Sequence, residues 1–322
     1  MIRITVSVAW CFALMLRISA QSRICPDQLC LSLLNLRVRL FTDRALSATL
    51  ALSLLGCDRA PAPAEWAQPY AYREVASGPC AAGFIPRDPT RPSAALLTPA
   101  HVAVQIRAPT NYRATVPHPL LVVYAAAGMS VQHNERFTGI TAQATAAGWL
   151  VAFVAHVRPS RRAMLNLAQV PTRVAAQWCV DPHRIFLTGH SDGGTAATAI
   201  ALQSAPHTIA GIAPSAAGFN AEDFKTFACP TVPIAVMIWH GKDDDLFPGW
   251  GRDAAQWWAR CGGCKVEHSQ RLANGCEQFV ECAQPGSVQY CEVPGGHLMW
   301  SPQAVPAMLE FFAQHRASAG EK

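Results

Sequence analysis

A serine between glycines, a run of three acids and a histidine in a glycine turn follow one another along this 322-residue chain. Gly189-His190-Ser191-Asp192-Gly193 comes after an apolar stretch at 185–188 and before an alanine-rich stretch at 195–205. The first reads as a buried strand and the second as a helix, so the serine falls on a strand-to-helix turn. Such a turn holds a hydroxyl on strained backbone, and its glycines let neighbouring chain approach closely. A serine hydroxyl attacks a carbonyl only when a neutral imidazole takes its proton, and the imidazole needs a carboxylate to fix its tautomer. Residues 232–239 form a second apolar run, leading into His240-Gly241-Lys242-Asp243-Asp244-Asp245. Residues 288–293 read as another short strand, leading into Pro294-Gly295-Gly296-His297. Acid and base candidates thus lie just past the ends of strands, where a doubly wound sheet gathers its loops.

The elements that must carry these groups can be read from period and polarity. Residues 101–108 alternate apolar and polar, as a half-exposed antiparallel edge strand does. The runs at 120–124, 150–155, 185–188, 209–214 and 234–240 are nearly continuous in apolar residues, which suits parallel strands covered on both faces. Helices are expected at 137–147, 172–179, 195–205, 253–260 and 302–315. The fold class is therefore α/β, a mostly parallel doubly wound sheet with helices on both faces. With 51% hydrophobic and 15% charged residues, the chain can bury one large core. No internal repeat or second folded domain is visible.

Three motifs in register resemble a family of secreted esterases that includes polyhydroxybutyrate depolymerases, feruloyl esterases and acetylxylan esterases. They are Val180-Asp181-Pro182-x-Arg184 leading into Gly189-x-Ser191-x-Gly193-Gly194, then His240-Gly241-x-x-Asp244-x-x-x-Pro248, then Val293-Pro294-Gly295-Gly296-His297-x-x-Trp300. The resemblance implies an α/β-hydrolase fold over residues 100–316 and a serine ester hydrolase that uses no metal or organic cofactor. It makes Ser191 the nucleophile and His297 the base, and its register selects Asp244 over Asp243 as the acid. It places the oxyanion donors at the backbone N–H groups of Asp192 and Ala127. Here the chain departs from the family, with Ala125-Ala126 where His-Gly is common. His190 and Trp300 are expected to line the substrate site. Hydroxyalkanoate, feruloyl, acetyl and simple short-chain esters all remain open as substrates. The competing readings are a peptidase of the same fold and a non-catalytic lipoprotein that binds a cell-envelope ligand.

The N-terminus reads as a leader over 1–56, followed by a tether and extension over 57–99, with a disordered tail at 317–322. Leu54-Leu55-Gly56-Cys57 resembles a bacterial lipobox with Cys57 as the acylated residue, preceded by Arg39 and Arg44 and a short apolar run. Translation is expected to start near Val38, with 1–37 an over-called start; the rival is a signal cleaved after Ala20. Either leader exports the domain, and membrane association would come only through the lipid at Cys57. Of 12 cysteines, eight lie outside the leader set Cys11, Cys25, Cys30 and Cys57, an even number that suits disulfides in an exported chain. Five crowd 261–291 and are expected to staple a loop-rich excursion feeding the His297 loop. Zinc on Cys261 and Cys264 is the weaker reading of that cluster, because spacing to further ligands is irregular. The net charge of +5 is scattered without a basic stripe, which argues against a nucleic-acid partner.

Overall fold

The computed structural model describes residue 80 and residues 96–204, 208–283 and 287–317. The expected leader, Cys57, most of the tether and residues 318–322 lie outside the described residues. Ten strands form one sheet: β1 (Leu96–Leu97), β2 (Ala103–Arg107), β3 (His118–Tyr124), β4 (Leu150–Val154), β5 (Val180–His190), β6 (Gly211–Ser215), β7 (Ala235–Gly241), β8 (Lys265–Arg271), β9 (Glu277–Val280) and β10 (Val288–Val293). Their order is β1-β2-β4-β3-β5-β6-β7-β10-β9-β8. The six strands from β4 to β10 in that order run parallel, and antiparallel pairs extend the sheet at both ends. This is the α/β-hydrolase arrangement.

The central stretches of the parallel strands β3, β4, β5, β6 and β7 are mostly apolar because each face meets a layer of side chains. On β3, Leu120, Val122 and Tyr124 enter one apolar cluster while Leu121 and Val123 enter the other. The second cluster is anchored by Phe186, which stacks on Phe312 of the helix Ala304–Ala313 at a centroid distance of 4.3 Å. The C-terminal ends of the parallel strands β3, β5, β6, β7 and β10 therefore open on one edge, above a packed interior. Among the described residues no helix is long and apolar enough to cross a membrane.

Several expectations need correction. β2 is not an edge strand, since β1 pairs outside it. The helix expected over 137–147 is two helices, Val131–Thr138 and Ile140–Ala146, broken where Gly139 takes φ 62°. The first starts earlier than its apolar residues suggest because Ser130 caps it, accepting from the His133 N–H. Ser130 has a counterpart in Ser160, which caps an unexpected helix, Arg161–Leu167. Ahead of the expected strand at 288–293, the stretch from Cys261 is not merely loop: it holds the hairpin β8–β9. Four disulfides, Cys80–Cys179, Cys229–Cys261, Cys264–Cys282 and Cys276–Cys291, use all eight cysteines beyond the expected leader set. Cys261 and Cys264 are each bridged, so neither is a thiolate offered to zinc. At the C-terminus Ala317 donates its N–H to the His183 carbonyl at 2.8 Å, so order reaches into the expected tail.

Candidate active site

Ser191 separates β5 from the helix Asp192–Gln203 and takes φ 54°, ψ −117°, a conformation that a side chain rarely adopts. Such backbone costs about 1–3 kcal/mol and persists only where surroundings over-determine it. The surroundings here are backbone. A Cβ on Gly193 would lie 2.1 Å from the Tyr124 carbonyl oxygen, and one on Gly189 would lie 2.5 Å from the Gly193 carbonyl carbon. The Ser191 N–H donates to the Ser215 carbonyl at 2.9 Å, tying the turn to β6. The same contact with Tyr124 brings the turn against the end of β3, where Ala125 and Ala126 are buried and Ala127 is exposed.

Asp244 and His297 arrive on two loops that bind each other. The Asp243 N–H donates to the Gly295 carbonyl at 3.0 Å, and the Asp243 carboxylate accepts from the Gly295 N–H at 3.3 Å. Asp243 is thereby turned to the loop backbone and Asp244 to the histidine. His297 Nδ1 lies 2.9 Å from Asp244 Oδ2, and His297 Nε2 lies 2.9 Å from Ser191 Oγ. A carboxylate accepts only, so Nδ1 carries the proton and the Nε2 lone pair faces the hydroxyl. All three groups are buried, at 3%, 8% and 6% exposure for Asp244, His297 and Ser191. Burial alone would raise the Asp244 carboxyl. Hydrogen bonds from His297 and from the Phe247 N–H outweigh it and hold the group below the usual carboxylate range. The Leu246 and Phe247 N–H groups donate to Asp244 Oδ1 at 3.1 and 2.9 Å, so both carboxylate oxygens are engaged.

Two more imidazoles surround this line. His240 donates from Nε2 to the Phe247 carbonyl at 2.9 Å and stands 3.6 Å from Asp244 Oδ2. Its burial lowers its pKa against the pull of Asp244. His190, expected among the substrate contacts, is turned inward, and that expectation is corrected. It is 3% exposed; Nε2 lies 2.7 Å from the His297 carbonyl and Nδ1 lies 3.1 Å from Ser215 Oγ. Burial lowers its pKa to about 4, so it is neutral, with Nε2–H donating to the carbonyl and Nδ1 accepting from the Ser215 hydroxyl. It is a strut from β6 to the loop of the base.

Trp300 is half-buried, its ring 6.4 Å from those of His190 and Phe137, beside the base loop. Phe247 meets the His297 ring edge-on at 4.8 Å. Sequence reasoning did not single out Phe247 or Ser215, and it offered His156 only as a weak substrate-site candidate in a loop following a strand. His156 Nε2 donates to the Asp192 carboxylate at 3.0 Å, while its own N–H donates to the Met129 carbonyl. The residue after the serine is thus tied to the loops after β3 and β4. These partners stand 25 to 107 positions apart in sequence, and no local pattern announces them.

No family model matches the chain. A stretch of 142 residues is 28% identical to feruloyl esterase B of Piromyces equi, covering 38% of this chain and 26% of that protein. Another of 144 residues is 30% identical to the putative esterase NocK of Nocardia uniformis subsp. tsuyamanensis, covering 40% of this chain and 41% of that protein. The chain thus aligns with well under half the length of these curated relatives. Among solved structures, the acetyl xylan esterase from Aspergillus awamori superimposes with a TM-score of 0.51 at 16% identity, over 67% of this chain and 95% of the other. At that identity the likeness shows the fold.

Proposed function

We propose that this chain, an esterase-like α/β-hydrolase, cleaves carboxylic esters through an acyl-enzyme on Ser191. The observation that carries the reading is the unbroken line from Asp244 Oδ2 through His297 to Ser191 Oγ, 2.9 Å at each link. His297 takes the serine proton as Oγ bonds to the ester carbonyl carbon. Asp244, kept ionised, stabilises the imidazolium that forms. Collapse of the tetrahedral intermediate breaks the bond to the alcohol oxygen, which receives the proton from His297. Water then repeats the sequence on the acyl-enzyme and releases the acid.

The oxyanion would be met by the Asp192 N–H, at the positive end of a 12-residue helix, and by the Ala127 N–H. The close contact of Gly193 with Tyr124 supports this pairing, since it draws the loop after β3 to the serine. Trp300 would wall the substrate site, and His190 would hold the base rather than the substrate. Feruloyl and acetyl esters enter as candidate substrates from the names of the similar proteins, and hydroxyalkanoate esters from the sequence motifs. Four disulfides suit an extracellular or secreted protein. A lipid at Cys57 remains part of this proposal, as does the lack of a nucleic-acid partner.

Rapid mixing of the full chain with p-nitrophenyl butanoate tests the mechanism. A burst of nitrophenol followed by slower turnover is expected, and Ser191→Ala should lose both, with kcat down about 10⁶-fold. Equal turnover in the two folded proteins would refute Ser191 as nucleophile.

A further inference from the structure

Four large apolar side chains stand more than a third exposed among the described residues: Val116 at 38%, Leu246 at 48%, Leu298 at 85% and Met299 at 47%. Three of the four belong to the two loops that carry the acid and the base. Leu246 is two residues past Asp244, and Leu298 and Met299 follow His297 directly. The loops are hydrogen-bonded to each other through Asp243 and Gly295, which joins the two segments that carry these three exposed side chains. Met299 folds back over Gly295, where an added Cβ would meet its Cε at 2.6 Å. Behind the rim Phe247 stacks on Trp250 at 4.5 Å and turns its edge to His297, continuing the apolar surface inward.

We propose that Leu246, Leu298 and Met299 form a binding rim for the apolar arm of an uncharged ester, running outward from the carbonyl at Ser191. The proposal rests on the ester hydrolase reading and names its substrate class. Exposed apolar side chains gathered in one place mark a contact surface, whereas scattered ones need no explanation. The position selects the occupant. Leu298 adjoins the base covalently and is exposed, while the inner side of the base loop is filled by buried His190, whose ring lies 5.5 Å from that of His297. An ester whose carbonyl reaches the hydroxyl must leave its substituents on the open side. Charge narrows the class: on the same loop Lys242 stands against Asp243 and Asp245, all exposed. A substrate with a carboxylate beside the scissile bond would meet one base and two acids. A neutral alkyl or aryl arm meets none of that penalty and covers the leucines.

The test is kcat/KM of the full chain for p-nitrophenyl acetate, butanoate, hexanoate and octanoate. Full burial of a methylene is worth about fourfold, and a rim that covers one side should give about twofold. The octanoate-to-acetate ratio, six methylenes apart, should therefore be about sixty-fold in wild type. Leu298→Ser and Leu246→Ser should each cut that ratio by about fivefold, while Val116→Ser, away from both loops, should leave it as in wild type. The same ratio in all four proteins, or a flat wild-type series, overturns the rim. So does a wild type that sediments as a dimer while Leu298→Ser is monomeric, since the rim would then face a second copy. Labelling of Ser191 by a fluorophosphonate separates the two levels of the argument. A wild type that labels and hydrolyses acetate but ignores chain length sinks the rim alone; one that neither labels nor hydrolyses any ester sinks the hydrolase reading.

Discussion

Ser191 rests on backbone packed against backbone, whereas His297 hangs on a loop secured by side chains and a disulfide. The elbow is pinned by Gly189 and Gly193 against Tyr124 and by an amide bond to Ser215. None of these depends on a titratable group. The base loop is held by Asp243, by the His190 strut, by Asp244 itself and, through β10, by Cys276–Cys291. The difference teaches where one substitution or one change of conditions can act. The nucleophile should fail only with the fold, and the base should be adjustable.

The sharpest break of the comparison is Asp244→Asn. It keeps the shape but removes the acceptor that fixes the His297 tautomer, and kcat should fall about 10⁴-fold with little change in melting temperature. Next comes Gly193→Ala, whose new methyl lands on the Tyr124 carbonyl. It should cost about 3 kcal/mol by denaturant titration and lose activity only together with fold. Replacing Cys276 and Cys291 together by alanine opens a loop of 15 residues. That should cost about 3 kcal/mol, and at temperatures where the variant stays folded kcat should drop several-fold while fluorophosphonate still reaches Ser191.

The His190 strut predicts a pH signature. Its folded pKa of about 4 lies below the ordinary 6.5, so as pH falls the unfolded chain takes up the proton first. Stability from this group is whole above about 6.5 and drains away toward 4, by about 3 kcal/mol in all. His190→Gln, which keeps a donor toward the His297 carbonyl, should flatten that slope and retain most of kcat, while His190→Ala should lose kcat without rescue. His240, also lowered, leaves part of the slope in both variants. Smallest of all should be Asp243→Asn. It trims one long hydrogen bond to Gly295 and should change kcat/KM less than about threefold.

The same division appears in what the sequence reveals. Most of the parallel strands declare themselves because burial on both faces demands nearly unbroken apolar runs, and the more polar Val288–Val293 also falls where a strand is expected. The strand β8, Lys265–Arg271, does not, because it is an exposed outer strand of mostly polar residues kept in place by β9 and by Cys264–Cys282. The helix Val131–Thr138 is likewise too polar to show a period, and its signal is the cap at Ser130. Within the site, Ser191 and the glycine turn of His297 are local patterns. The roles of His190 and His156 are long-range hydrogen bonds, which only the folded chain brings about.

The central claim, that Ser191 carries the acyl group, is met most directly by acid-quenching the full chain during turnover of p-nitrophenyl butanoate and mapping the adduct by peptide mass. The account predicts one butanoyl group on the peptide containing Ser191 in wild type and none in His297→Ala. Acylation of any other residue, or steady hydrolysis with Ser191 unmodified, would contradict it.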